Sequence, residues 1–568
     1  MTKKLLTRIS ALVLTFGLLA GTAACQDPTN PSTADDPEGE TKVSEEASEQ
    51  ENKEDVPENE AGTGDGDNIV NIGMTYPITS MNPLLMDASE AMKYAVGIAF
   101  EPLVELNSNY EFEGVLAESI TLSDDKTVFT VKLKDDAAWS DGVPITADDV
   151  IFTVLRTTSE TVNNTSMSMF YLFKGFNEIG QVPDDAESVE GLVKVDDKTI
   201  EFHATEALSM ENFNNNFMRY LCPIPKHILG DMTSEELKTT EWFASPDVVS
   251  GPYRPTSADL AHFVTYEANE NYWQGKPKIE KLNIKIVTGS QLFAGMQSGE
   301  IDYVQQTTGV FAQEDIPSVE KLENAEAVYD NPVTPVLTFV NTKTVEDKRV
   351  RQAIVHAIDR ELLVKEFLRG KGEVVDGFLT SASPYFDDTH EVMDYNPEKA
   401  KELLAEADWD SSQVLDFKID SGDSTFAQAA NVIVAQLAEV GIKAQITSLN
   451  LTQLLTDAAA HDFDLLSVQY TLPPVAPSLD VAWLAGPGGW PDYGREETNE
   501  LIDKASLISE DDAKLKEVYR EIHTYINEDV PVINMYATAP IGARSKRLKA
   551  QDPSVFGGFM NLHTWEIA

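Results

Sequence analysis

LAESITLSDDKTVFTVKLKDDAAWSDGVPITADDVIFTVLR, residues 116–156, is the stretch whose reading decides the fold. Phe129, Val131 and Leu133 alternate with Thr130, Lys132 and Lys134, which predicts a strand with one apolar and one polar face. Ser123-Asp124-Asp125 supplies the turn before it, because such side chains bond their own backbone. Trp139-Ser140-Asp141-Gly142 supplies the turn after it, with Gly142 free to take positive φ. Thr146 then reads as a helix N-cap, with Asp149 three residues on as its reciprocal partner. Asp148 and Asp149 sit at the positive end of that helix. Val150 with Val154, and Ile151 with Leu155, give it a buried face. The unit is a strand, a turn and a capped helix, and physically it names no function.

The chain has 568 residues, too many for one ordinary core, so two or three domains are expected. The formal net charge is −52. Such an acidic chain is unsuited to nucleic acid, whose phosphates need Lys and Arg, and to electrostatic binding of anionic membrane. At the N-terminus, Lys3, Lys4 and Arg8 precede an apolar run from Ile9 to Ala20, of signal-peptide length and too short for a comfortable membrane span. Thr22-Ala23-Ala24-Cys25 follows and resembles a bacterial lipobox, with Cys25 as the lipidated residue, although Thr22 stands where lipoboxes usually carry Leu. The alternative is a plain secretory signal cut near Ala24. Cys222 is the other cysteine; between Leu221 and Pro223 it reads as a small buried apolar residue, not a nucleophile. Residues 26–68 hold fifteen acids against two lysines and few large apolar residues. Such a segment cannot bury enough surface to fold, and reads as a disordered acidic tether.

The string Leu116–Ser119, Ser123–Phe129 and Trp139–Val150 resembles the segment shared by extracellular solute-binding proteins of family 5, which deliver peptides and nickel to ABC importers. Further matches are collinear: Pro225-Lys226-His227, Ser250-Gly251-Pro252-Tyr253, Ala268 to Pro277, Ser298 to Asp302, and Lys348 to Ala353 with Ile358-Asp359-Arg360. The resemblance covers about Ile69 to the C-terminus. It implies an α/β, two-lobed periplasmic-binding-protein-like (type II) fold with an extra subdomain on the first lobe. The first lobe would span 69–335 with the subdomain at about 105–245. The second lobe would span 336–533, and 534–568 would return to the first.

Periodicity adds detail to the second lobe. Helices are expected from Asp347 to Ala357, after Asp359, after Asn396 with Pro397 first, from Phe426 to Val440 and from Leu451 to Ala460. Strands are expected at Leu415–Ile419, Ile442–Thr447 and Asp464–Gln469. Strands alternating with helices imply a parallel sheet.

No zinc-protease, Cys-x-x-Cys, nucleophile-elbow or Walker motif occurs in the sequence, and the histidines are never paired at helical spacing. No enzyme activity, cofactor or metal is expected. The resemblance implies capture instead: two hinged lobes close over a solute, an oligopeptide first of all, and deliver it to permease subunits with their ATPases. A monomer on the bacterial cell surface, anchored through the lipid on Cys25, is expected. A nickel complex, an opine or a glycan are alternative solutes, and a peptide-signal receptor or a surface hydrolase are alternative roles.

In peptide-binding members the resemblance places an Asp, which pairs with the peptide α-amino group, after a Trp in one specificity strand. Here Tyr470 falls at the Trp position and Pro473 at the Asp position, and a proline accepts no ion pair. Asp480 is a nearby substitute acid and also reads as a helix-start aspartate. The ligand-binding candidates are Met86, Asp87 and Ala88 in a first-lobe loop, Asn341 after the strand at the lobe crossing, Tyr470, Thr471 and Leu472, Asp480, and Trp483. Trp490, Tyr493 and Arg495 are further pocket candidates or ordinary packing residues.

Overall fold

The computed structural model describes residues 68–568 except 88, 390–391, 487 and 508–511; it also leaves the side chains of 165, 424, 452, 479, 483 and 512 undescribed. Cys25, the signal segment, the tether to residue 67 and Ala88 therefore lie outside the described residues.

The folded chain opens with β1 (Ile69–Met74), helix α1 (Glu90–Gly97) and the hairpin of β2 (Val104–Leu106) and β3 (Phe112–Gly114). It then builds a separate layer from β4 (Ala117–Leu122), β5 (Val128–Leu133), α2 (Ala147–Thr157), β6 (Leu192–Asp196) and β7 (Thr199–His203). Helices α3 (Met210–Phe213), α4 (Lys226–Leu229) and α5 (Ser234–Thr239) follow. The chain returns through β8 (Tyr253–Asp259), β9 (Phe263–Ala268), β10 (Lys281–Ile286), α6 (Gly289–Ser298), β11 (Tyr303–Val304), α7 (Ile316–Val319) and β12 (Ala325–Tyr329). Next come β13 (Thr334–Val340), α8 (Lys348–Ala357), α9 (Arg360–Phe367), β14 (Gly372–Glu373) and α10 (Pro397–Glu406). After them lie β15 (Val414–Asp420), α11 (Ser424–Glu439), β16 (Lys443–Leu449), α12 (Leu451–Ala459) and β17 (Leu465–Gln469). The last part holds α13 (Ser478–Ala485), α14 (Glu496–Leu507), α15 (Asp512–Asp529), β18 (Val532–Thr538), β19 (Ile541–Ser545), β20 (Leu548–Lys549) and β21 (Glu566–Ile567).

Two large sheets define the two lobes. The first has the order β12-β19-β11-β1-β10-β9-β8, and the second β14-β18-β13-β17-β15-β16. The inserted subdomain has its own sheet, β4-β5-β7-β6. Phe129, Val131 and Leu133 of β5 are all fully buried, as the alternation requires. Phe129 stacks on Phe213 with ring centroids 4.0 Å apart. At the next turn Lys126, at φ 60°, takes the left-handed residue of the Ser123–Lys126 reversal. Gly142 takes φ 89°. Thr146 and Asp149 form the reciprocal cap, Thr146 N donating to Asp149 Oδ2 at 2.8 Å.

The recurrent strings meet at one junction between subdomain and first lobe. Asp149 Oδ1 accepts from Lys226 N at 2.9 Å. A ring nitrogen of His227 lies 2.8 Å from Asp141 Oδ2. Asn271 Nδ2 donates to Ser140 O at 2.9 Å, and Asn269 Nδ2 to Gly251 O at 3.0 Å. These residues hold the scaffold, and Cys222 is buried in the same core.

Two expectations need correction. The second-lobe sheet is mixed, not parallel: β15 pairs parallel with β16 and β17, but β13 pairs antiparallel with β17 and β18. The reason is that β13 and β18 enter and leave from the other lobe. The return also falls later than 534: β18 still belongs to the second sheet, and Ala539-Pro540 lead into β19 of the first. The two crossings run together. β12 pairs with β19 and β13 with β18, and Asp330 N donates to Pro540 O at 2.9 Å between the two ladders.

Candidate ligand cleft

The parallel strands locate the site. In open α/β sheets ligands bind beyond the carboxyl ends of the strands. β1 runs parallel to β10 and β11, and its carboxyl end leads to Thr75 and Tyr76. β15 and β17 are parallel, and their carboxyl ends lead to Asp420 and Tyr470. These ends face each other across the gap. Tyr76 stays half exposed, and partial desolvation with the charges of Asp420 and Asp423 raises its phenol, so the first lobe comes near the second at this point.

The segment after β17 forms the wall of the cleft nearest the crossing. Tyr470 N donates to Pro335 O at 2.9 Å and Leu472 N to Val333 O at 3.2 Å. The extended chain thus tracks the strand that has just crossed. Ser383 Oγ donates to Pro474 O at 2.8 Å. Ala476 then adopts φ 56°, a left-handed turn that costs an alanine about 1 kcal/mol. That turn starts α13 and puts Asp480 in its first turn, where the helix end favours negative charge.

Asp480 is half-buried, and Tyr470 OH donates to its Oδ1 at 2.9 Å. Burial pushes its carboxyl up to about 6, against the lowering effect of the Tyr470 hydrogen bond. Burial, and after it the Glu90 charge, raise the Tyr220 phenol of the inserted subdomain, and Asp480 adds the smallest contribution. Burial, with Asp480 and Tyr220, likewise pushes the Tyr470 phenol well up. A carboxylate that accepts from the Tyr470 phenol at the lobe boundary can accept an ammonium group as well.

The lobes touch at the edge of the cleft. Asn212 Nδ2 donates to Ser478 Oγ at 3.0 Å and to Ser506 O at 3.4 Å, both within buried surroundings. Arg369 Nη2 donates to Gln313 O at 2.9 Å on the other side. Near the crossing, Ala382 and Val475 of the second lobe pack on Leu106, Val333, Val555 and Phe556.

The candidates sort unevenly. Tyr470 and Asp480 come together. Thr471 reaches back to the crossing, its Oγ1 lying 3.3 Å from Thr334 Oγ1. Leu472 is core of the second lobe. Met86 is core of the first. Asp87 accepts from Ser89 N at 2.9 Å and so prepares the start of α1. Asn341 is misplaced by the sequence reading: β13 runs away from the crossing, so Asn341 stands at the far end, its Nδ2 donating to His461 O and Phe463 O at 3.0 Å. Trp490 packs edge-on to Phe339 near that end, with centroids 5.0 Å apart. Tyr493 OH donates to Asp529 Oδ2 at 2.9 Å, and Arg495 pairs with Asp529 and Glu528 over the Tyr525 ring. The carboxylates Arg495 meets are thus the chain's own. Trp483 lies on α13, its side chain outside the described residues. Tyr220, Asn212 and Tyr76 lie outside the sequence motifs that point to the cleft. The run Asn212-Phe-Asn-Asn-Asn inside an apolar stretch was the available signal, since amides there need partners.

Residues 111–492 match the family described as bacterial extracellular solute-binding proteins, family 5 Middle. The chain belongs to this family. This family 5 protein is 27% identical over 476 residues to the oligopeptide-binding protein AppA of Bacillus subtilis, covering 80% of this chain and 83% of AppA. It is 24% identical over 499 residues to the glutathione-binding protein GsiB of Escherichia coli K12, covering 85% and 91%. The structure of AppA with a nonapeptide superposes with a TM-score of 0.68 at 24% identity, covering 88% of this chain and 99% of that one. NikZ of Campylobacter jejuni with Ni(L-His) gives 0.71 at 20% identity over the same 88% and 99%. These structural likenesses show the two-lobed fold. The family is one of extracytoplasmic binding proteins, not enzymes.

Proposed function

We propose that this family 5 protein captures extracellular oligopeptides between its lobes and hands them to a membrane permease driven by ATPase subunits. The likeness to a relative named as an oligopeptide-binding protein, over most of both chains, carries this reading. In it, Asp480 takes the peptide α-amino group in place of the acid that Pro473 lacks, with Tyr470 orienting the carboxylate. Between Tyr470 N and Leu472 N, which the crossing strand takes, the main chain of Thr471 lies beside the cleft and suits a ligand bound largely independently of its side chains. Tyr76 and Thr471 are further cleft-lining candidates. The protein works as a monomer, held at the cell surface by a lipid on Cys25.

Mass spectrometry of solutes released by gently unfolding the purified protein tests the substrate. Short peptides are expected, and a glycan or metal chelate in their place overturns the peptide reading. Cys25→Ala tests the anchor: the variant is expected in the medium, and retention on the membrane refutes lipidation at that residue.

A further inference from the structure

The turn between β4 and β5 reaches the other lobe. Lys126 ends the Ser123–Lys126 reversal at φ 60°, a conformation that glycine takes freely and that residues with a Cβ resist. Strain of this kind persists where the side chain has work to do. The half-buried Lys126 side chain crosses the lobe boundary, and its Nζ donates to Leu507 O at 2.5 Å. Leu507 is the last residue of α14. Carbonyls at a helix C-terminus lack partners within the helix, and the negative end of the helix dipole favours a cation. Among the described residues Lys126 pairs with no carboxylate, so this carbonyl is what its charge meets.

Asn212 makes a second contact from the same tip of the subdomain. Its Nδ2 donates to Ser478 Oγ at 3.0 Å, and Ser478 Oγ lies 3.2 Å from Asn212 Oδ1. Nδ2 also reaches Ser506 O, one residue before Leu507, at 3.4 Å. Asn212 is only 1% exposed and Ser478 2%. The crevice between the two faces, lined by Ser209, Asn212, Ala476, Ser478, Ala505 and Tyr519, has a volume of about 10 Å³. That is room for about one water, so the contact is nearly dry and its hydrogen bonds meet little competition from solvent.

The tip is built as one stiff piece. Leu208 N donates to Lys126 O at 3.0 Å, and Ala204 N to Thr127 O at 2.7 Å. Ser209 Oγ caps α3 by accepting from Asn212 N at 3.1 Å. Phe129, three residues after Lys126, stacks on Phe213, the residue after Asn212. Lys126 and Asn212 are therefore presented together, and they grip the two helices α13 and α14 at once. Ser478 precedes Asp480 by two residues on α13, so the grip also fixes where that carboxylate stands.

We propose that the tip of the inserted subdomain is a clasp that holds the second lobe closed by its own contacts, with Lys126 and Asn212 as positioning residues for capture. The inference rests on capture between the lobes, but neither residue meets the solute in it, and its test uses none.

The test is a distance measurement between spin labels on Val195→Cys in β6 and Val414→Cys in β15, both exposed valines, one on the subdomain and one on the second lobe. It is made in the Cys25→Ala chain, whose remaining native cysteine, Cys222, is buried. Without added solute the parent chain is expected to show a dominant narrow distance. Lys126→Met is expected to raise the open-to-closed ratio about tenfold, and Asn212→Ala about fivefold, read as a second, broad distance component. Lys126→Arg keeps a cationic donor and is expected to retain the narrow distance. Lys126→Gly separates the clasp from mere structure. It relieves the left-handed backbone, so its unfolding midpoint is expected at or above that of the parent, while its lobes open as in Lys126→Met. A parent chain with only the broad component overturns the proposal. So does the parent distribution in Lys126→Met and Asn212→Ala, or an opening of Lys126→Arg equal to that of Lys126→Gly. Because no peptide is present, a wrong solute assignment leaves each of these outcomes decisive.

Discussion

Replacing Asp480 by Asn removes one proton-accepting charge and little else, and its effects on binding and on stability have opposite signs. A charge-assisted contact between the carboxylate and a peptide ammonium is worth about 1.5–3 kcal/mol, so Asp480→Asn should weaken binding of a free-amine peptide about 10- to 100-fold. The unliganded protein should gain. Its buried carboxyl sits at about 6 instead of 3.8, and holding it ionised at pH 7 costs at most about 3 kcal/mol. For an acid raised in this way the folded state binds the extra proton. The penalty is therefore full above pH 6, shrinks as pH falls through 6, and is gone below 3.8. Asp480→Asn should accordingly raise the unliganded melting temperature at pH 7 and not at pH 3.5. Binding by the wild type has its own profile: about nine-tenths of Asp480 is ionised at pH 7 and about one-tenth at pH 5, so affinity should fall about tenfold between them. Calorimetric titration with a peptide and its N-acetylated twin completes a double-mutant cycle. Equal affinity of wild type and Asp480→Asn for the free-amine peptide would refute the amine contact, and an unliganded variant that melts lower would refute the buried-charge argument.

Asn212→Ala removes the hydrogen bonds that join the lobes at Ser478 and Ser506. Losing about 1 kcal/mol from the closed form should weaken ligand binding about fivefold and enlarge the radius of gyration in X-ray scattering of the unliganded protein. Arg547→Ala leaves Asp302, which is fully buried, without the guanidinium that meets it at 2.6 Å; a loss of about 3–5 kcal/mol in denaturant unfolding is expected. Phe129→Ala empties the stack on Phe213 in the subdomain core and should cost about 3–5 kcal/mol while sparing any ligand contact, read as a lowered unfolding midpoint with unchanged affinity in the folded range.

The pattern of what the sequence reveals follows from the range of the forces involved. The unit at 116–156 was legible because its strand, turns and cap depend on neighbours a few residues away. The same holds for α8 to α12, whose caps at Asp347, Asp359, Asn396, Asp423 and Asn450 are all seen to accept from the helix. Asn341 failed for a different reason. A strand's residues do not declare which of its ends meets the other lobe, and β13 runs outward, so Asn341 lies at the end opposite the crossing. Trp490, Tyr493 and Arg495 belong to the same remote end. The expected boundary at 534 cuts through β18 because its buried apolar run suits either sheet, and only pairing with β13 decides. Asp480 was legible as a helix-start residue, but its burial beside Tyr470 depends on the left-handed turn at Ala476, a conformation that nothing in that alanine announces.

The twin crossings carry a mechanical consequence. Two separate linkers would let the lobes swing and swivel about several axes. Here the linkers are laced into one ribbon, with the Asp330–Pro540 bond at its waist and Asp330 Oδ2 also gripping Val555 N at 2.6 Å. A laced ribbon bends and twists along one easy direction and resists sliding, because sliding would break the ladder on both sides at once. The lobes must then meet in the same register at each closing, so anything that reads the closed outline meets one shape whatever solute lies inside.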